Sequence, residues 1–92
     1  MTTTGTPNLD DTDDDELRNI IRDVQRSPSS VADLWWGRAD ATALDLATGI
    51  AKYAAMLLNA RIHRREGRID RALTLENALE FRRNELPQYA RW

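Results

Sequence analysis

The residue types best able to do chemistry lie within eleven positions, Arg61, His63, Arg64, Arg65, Arg68 and Arg71, around one glycine, Gly67. Guanidinium groups hold phosphates and carboxylates through paired, planar hydrogen bonds, so several on one turn suit a grip on nucleic acid or on an acidic protein surface. Cations also gather at helix C-termini, where they complement the negative dipole end, and that accounts for Arg61, Arg64 and Arg65 without any ligand. It does not account for Arg68 and Arg71, which fall at the start of the next helical segment, where positive charge is mildly unfavourable. The cluster is therefore the first candidate binding surface.

Other chemistry lacks its parts. His63 stands between Ile62 and Arg64 with no carboxylate placed to orient it as a triad base. Ser27, Ser29 and Ser30 fit turn and cap roles. Asp11, Asp13 and Asp15 have the alternating spacing that opens a calcium loop, but the glycine and the bidentate glutamate that such a loop requires are replaced by Glu16 and Arg22. The absence of cysteine excludes disulfides, thiolate metal sites and cysteine nucleophiles. These observations predict a chain with no catalytic residues, no metal site and no cofactor.

Trp35 and Trp36 form a second candidate surface. Consecutive residues on a helical turn point about 100° apart, so the two indoles are not expected to enter one core together. Exposed tryptophan is enriched among the residues that dominate binding at interfaces. Trp92 is expected to dock back onto the helices.

The elements that must position these residues follow from periodicity. Residues 1 to 12 are Thr, Gly, Pro, Asn and Asp with one methionine and one leucine, too few apolar groups to order themselves, and are expected to form a disordered acidic tail. Residues 13 to 92 are expected to be one all-α domain. Leu17, Ile20, Ile21 and Val24 share a helical face and predict a first helix over about 13–26. Ser27-Pro28 breaks it, and Ser30 with Asp33 has the form of a capping box that starts a short helix over 31–36. Asp40 is placed to cap a long helix over 41–66, and Gly67 to end it. Ile69, Ala72, Leu75 and Leu79 mark a last helix over 68–85, which Pro87 stops. The segment 60–79 resembles the inner turn of a tetratricopeptide repeat at Ala60, Gly67, Ile69 and Ala72, but Glu76 and Asn84 occupy its larger aromatic and proline positions, which leaves a generic αα-hairpin. The expected architecture is a small helical bundle built on a long antiparallel hairpin.

The long helix sets a geometric problem. It carries two apolar stripes, Leu44, Ala47, Ala51, Ala54, Leu58 and Ile62 beside Leu46, Ile50, Tyr53 and Leu57. At 1.5 Å per residue it runs roughly 39 Å, whereas a domain of this length is expected to be roughly 30 Å across. The second stripe therefore needs a cover, and self-association through Ile50, Tyr53 and Leu57 is expected to supply it.

Charge divides along the chain. Residues 1–49 carry four arginines against ten acids and residues 50–92 nine basic residues against five acids, netting −6 and +4 within an overall −2. Such a chain either pairs its own halves or offers the basic half to an anionic partner. No segment reaches the ~18 consecutive apolar residues of a membrane span, and residues 1–8 lack the charged and apolar regions of a secretory signal, so no membrane association is expected and the cytoplasm is the expected location. Twelve arginines with a single lysine, Lys52, point to a GC-rich bacterial or phage genome. The function expected from these features is a non-enzymatic protein–protein interaction module or accessory regulator. It would use Trp35 and Trp36 with the arginines, and nucleic-acid binding through 61–71 is the alternative.

Overall fold

Helix starts in this chain are set by side chains that accept the free amides of a first turn. In the computed structural model, which describes residues 3–92, the Asp13 carboxylate accepts from the Glu16 amide at 2.8 Å and opens α1, Asp14–Arg26. Three further acids, Asp14, Asp15 and Glu16, fill its first turn and oppose the positive dipole end. The Asp40 carboxylate accepts from the Ala43 amide at 2.9 Å and opens α3, Ala41–Arg65. Between them lies α2, Pro28–Trp36.

The start of α2 corrects the expected capping box. Ser27, not Ser30, is the cap, and its hydroxyl accepts from the Ser30 amide. Pro28 then occupies the first helical position, where a missing N–H costs nothing and the fixed φ suits the helix. Gly37 ends α2 at φ 68°. Gly67 ends α3 at φ 81°, letting the Arg68 amide reach back to the His63 carbonyl at 2.8 Å. The last helix, α4, spans Ile69–Glu85 and stops before Pro87.

The chain is all-α, with four α-helices, short 3-10 turns at Leu9–Asp11 and Gln88–Ala90, and no strand among the described residues. α3 is the central element, in contact with α1, α2 and α4. Its alanines 43, 47, 54 and 60 are buried and permit close backbone approach, while Leu17, Ile20 and Val24 of α1, Val31 and Trp35 of α2, and Leu79 of α4 fill the spaces around them. By length and composition α3 would also pass for a membrane span. Here it packs against three other helices, and Ala43, Ile50, Tyr53 and Leu58 are among its buried residues.

Two expectations change at the ends of the chain. Residues 3–12, expected as the greater part of a disordered tail, lie along the helices; Met1 and Thr2 of that tail fall outside the described residues. The Thr4 and Gly5 amides donate to the Leu34 and Trp35 carbonyls at 3.2 and 2.8 Å, supplying donors to carbonyls left free at the end of α2. Leu9 is 0% exposed. The segment cannot bury enough within itself to order alone, but its one leucine enters a core built by other elements.

The same docking answers the cover problem. Ile50, Tyr53 and Leu57 are buried within a single chain, so they offer no face for self-association. Trp92 packs edge-on against Tyr53 with ring centroids 4.9 Å apart, and Leu86 closes over the core near Ile50. The molecule lengthens to 44 × 24 × 19 Å around α3, so the long helix does not project from a sphere.

Candidate functional site

The arginine cluster is largely engaged inside the chain. Arg61, on the face of α3 toward α1, donates to Asp14 Oδ1 at 2.9 Å and to the Asp10 carbonyl at 3.1 Å. Arg65, one turn further on, takes the other oxygen of the same carboxylate. Asp14 therefore bridges two guanidinium groups, and their hydrogen bonds, that of Arg61 foremost, hold its carboxyl below the ordinary carboxylate range. Arg64 faces α4 and grips Glu76 with both nitrogens, at 2.6 and 3.0 Å, and this pairing raises the arginine's pKa further. Arg68 donates through Nε to His63 Nδ1 at 2.7 Å and forms an ion pair with Glu66. Among the described residues only Arg71 of the cluster has neither an ion pair nor a side-chain hydrogen bond, and it is exposed.

A second focus forms at Asp10, which no sequence signal singled out. Its carboxylate accepts from the Tyr53 hydroxyl at 2.8 Å, from Arg83 at 2.9 Å and from the Trp92 indole N–H at 3.1 Å. Partial desolvation pushes this carboxyl up, but the donors from Trp92, Tyr53 and Arg83 outweigh it and the net shift is downward. The Tyr53 phenol is driven well above its usual range, first by desolvation and then by the neighbouring Asp10 charge. Beside this focus lies an open cleft of about 440 Å³ lined by Leu57, Arg61, Glu76, Glu80 and Arg83.

The two tryptophans both pack on the core and meet edge-on at 5.6 Å, against the expectation that they would not enter one core together. Trp35 is buried in the core; Trp36 is half-buried, donates its indole N–H to the Thr6 hydroxyl at 2.7 Å and meets Tyr89 edge-on at 5.8 Å. Neither ring offers an open face of the kind expected of a partner contact. Arg38 stacks over the outer side of Tyr89 at 5.1 Å. The aspartates of the calcium-like spacing have local roles: Asp11 bonds the Asn8 amide side chain, Asp13 caps α1 and Asp15 pairs with Arg18.

Three of the exposed large apolar side chains gather on one helix. The outer face of α4 carries Ile69, Leu73 and Phe81 with exposures of 42, 46 and 65%. They share a stripe with the exposed Asn77, each four residues from the next, while Ala72, Leu75 and Leu79 turn toward α3 on the other side. Sequence reasoning missed this stripe because Ile69 fits the pattern of the buried positions and Phe81 lies outside it. The signal was a helix with apolar residues on more of its circumference than one neighbour can cover. No protein-family model matches the chain, and neither a curated protein nor a solved structure does.

Proposed function

We propose that this chain is a small non-enzymatic helical protein that binds another protein, presenting the contact on an antiparallel hairpin of α3 and α4. The observation that carries the reading is the outer face of α4, where Phe81, the only phenylalanine, is 65% exposed in line with Leu73 and Ile69. Three large apolar side chains on one unpaired stripe favour burial against a partner, and an aromatic residue at such a stripe fits the anchor of an interface. Asp70 and Glu80 border the stripe with charge, as a polar rim would. The engagement of Arg61, Arg64, Arg65 and Arg68 by acids or by His63 within the chain weakens the nucleic-acid alternative, because phosphates would have to displace those internal partners.

The test compares baits in cells that encode the chain. A Leu73→Asp/Phe81→Asp double variant is expected to keep wild-type helicity, since both side chains already face water, and to lose a stoichiometric partner that the wild type recovers. A Glu80→Ala bait serves as a rim control and is expected to retain most of the partner. Retention of the same partner by the double variant refutes the assignment of this face.

A further inference from the structure

Residues 4–12 form a strap whose fixed points belong to four different elements. Thr4 and Gly5 are held by the end of α2, the Thr6 hydroxyl by Trp36, Leu9 by the core, and Asp10 by Tyr53, Arg61, Arg83 and Trp92. Every group that meets the Asp10 carboxylate and carbonyl is a donor: a phenol hydroxyl, an indole N–H and two guanidinium groups. An all-donor set selects an anionic carboxylate, the Arg61 contact to the main-chain carbonyl selects a peptide, and the hole filled by Leu9 selects a leucine-sized residue immediately before the acid. Asp14, the first residue of α1 and outside the strap, holds Arg61 and Arg65 in place beside this receptacle.

The geometry points to a peptide-binding site for an acidic, leucine-containing segment of a partner protein, occupied in this structure by the chain's own strap acting as a tethered pseudo-ligand. The occupant that the site fits is therefore a segment with a Leu-Asp pair. The clasp lies where a competitor can reach it, because the side chains of Asp10 and Arg83 are 37 and 43% exposed even with the strap docked. Leu9 is the only residue of the strap that is wholly buried, so an incoming segment has one apolar anchor to replace. This site is separate from the outer face of α4 and does not rest on it: variants at Leu73 and Phe81 leave its donors in place.

The consequence is competition between tethered and free ligand, and the apparent affinity for a free segment scales with the fraction of molecules whose strap is open. A fluorescein-labelled peptide of residues 3 to 14 serves as the probe, titrated by anisotropy against the full chain as wild type, Leu9→Ala and Thr6→Val. All donors of the receptacle are intact in both variants, and far-UV circular dichroism reports whether each is folded. The probe is expected to bind Leu9→Ala at least about tenfold more tightly than the wild type, and Thr6→Val more tightly by a smaller factor, since each weakens the strap at a different point. Adding Arg83→Gln to either variant should remove the gain, and a probe carrying Leu9→Ala and Asp10→Asn should not bind. Equal affinity for wild type and the folded variants, absence of binding to any of them, or a gain that survives Arg83→Gln overturns the proposal. Should Leu9→Ala fail to fold, the Thr6→Val comparison decides alone.

Discussion

Replacing Leu9 by alanine is the sharpest probe of the fold, because the residue lies in a stretch whose composition predicts disorder and yet is 0% exposed. The substitution removes three carbons from water-free surroundings, worth about 2–2.5 kcal/mol in transfer free energy at about 0.8 kcal/mol per methylene. Cavity formation adds to this where the neighbours cannot relax, which takes buried leucine truncations to about 2–5 kcal/mol. The strap is a single layer that can settle inward, so the lower end, about 2–3 kcal/mol, is expected here. The loss is also bounded above by the free energy with which the strap docks, since a detached strap gains nothing more from Leu9. For a domain of this size the melting temperature should fall by roughly 10 °C or more. Urea unfolding followed by both far-UV circular dichroism and tryptophan fluorescence measures it, because Trp36 and Trp92 are both tied to the strap. A fluorescence transition that precedes loss of helix would identify strap release as a separate step. Asp15→Ala, at a side chain 95% exposed, is the control and should lie within about 0.5 kcal/mol of wild type. A Leu9→Ala midpoint equally close to wild type would refute the docking of residues 3–12.

Three further outcomes are expected. Asp10 and Asp14 both sit below the carboxylate value of 3.8, so folding favours their ionised forms; their contribution is full at neutral pH and is lost as pH falls through the depressed folded values, and Asp10→Asn should flatten thermal melts recorded from about pH 5 downward. Tyr53 is displaced upward, so its contribution is full below the ordinary phenol range of about 10 and fades as pH rises above it; Tyr53→Phe should reduce the alkaline loss of stability in melts above that pH. Ala54→Leu should destabilise the fold by about 1–3 kcal/mol in urea, because Ala54 is fully buried on the crowded face of α3; a wild-type midpoint would place that face in open space.

The parts of this fold that were legible from sequence are those whose causes are local. Asp40 caps a helix because its own carboxylate reaches an amide three residues ahead, and Gly67 ends one because only a residue without Cβ takes φ 81° without strain. The start of α2 was misplaced between two serines that are both able to cap, and the decisive fact, that proline is favoured at a first helical position, was present at Pro28. The two stripes of α3 were visible as periodicity, but periodicity names the face that is covered and not what covers it. Leu9, Leu86 and Trp92 supply that cover from segments outside the main helical pattern. The Asp10 focus was illegible for the same reason: its donors come from residues 53, 83 and 92, at separations no local pattern encodes.

The partition of charge between the halves of the chain is resolved by the same contacts. Acids at 10 and 14 meet arginines at 61, 65 and 83, so the acidic start and the basic end neutralise one another within the fold. Ion pairs at exposed positions contribute little against side-chain entropy and salt screening, and most of those seen here are exposed. The pair of Arg61 with Asp14 is the sheltered one, at 26 and 23% side-chain exposure. The stability of the strap must therefore come mainly from Leu9, and the role of the charges is to fix its register: Arg61 binds both the Asp10 carbonyl and the Asp14 carboxylate, a pair of contacts that a strap shifted by one residue would not satisfy. Charge-neutralising Arg61→Gln should then loosen the position of the strap more than it lowers the melting temperature, which amide hydrogen exchange at residues 4–12 reads directly. Unchanged exchange in that segment alongside a large drop in melting temperature would reverse the assignment of roles between Leu9 and the clamp.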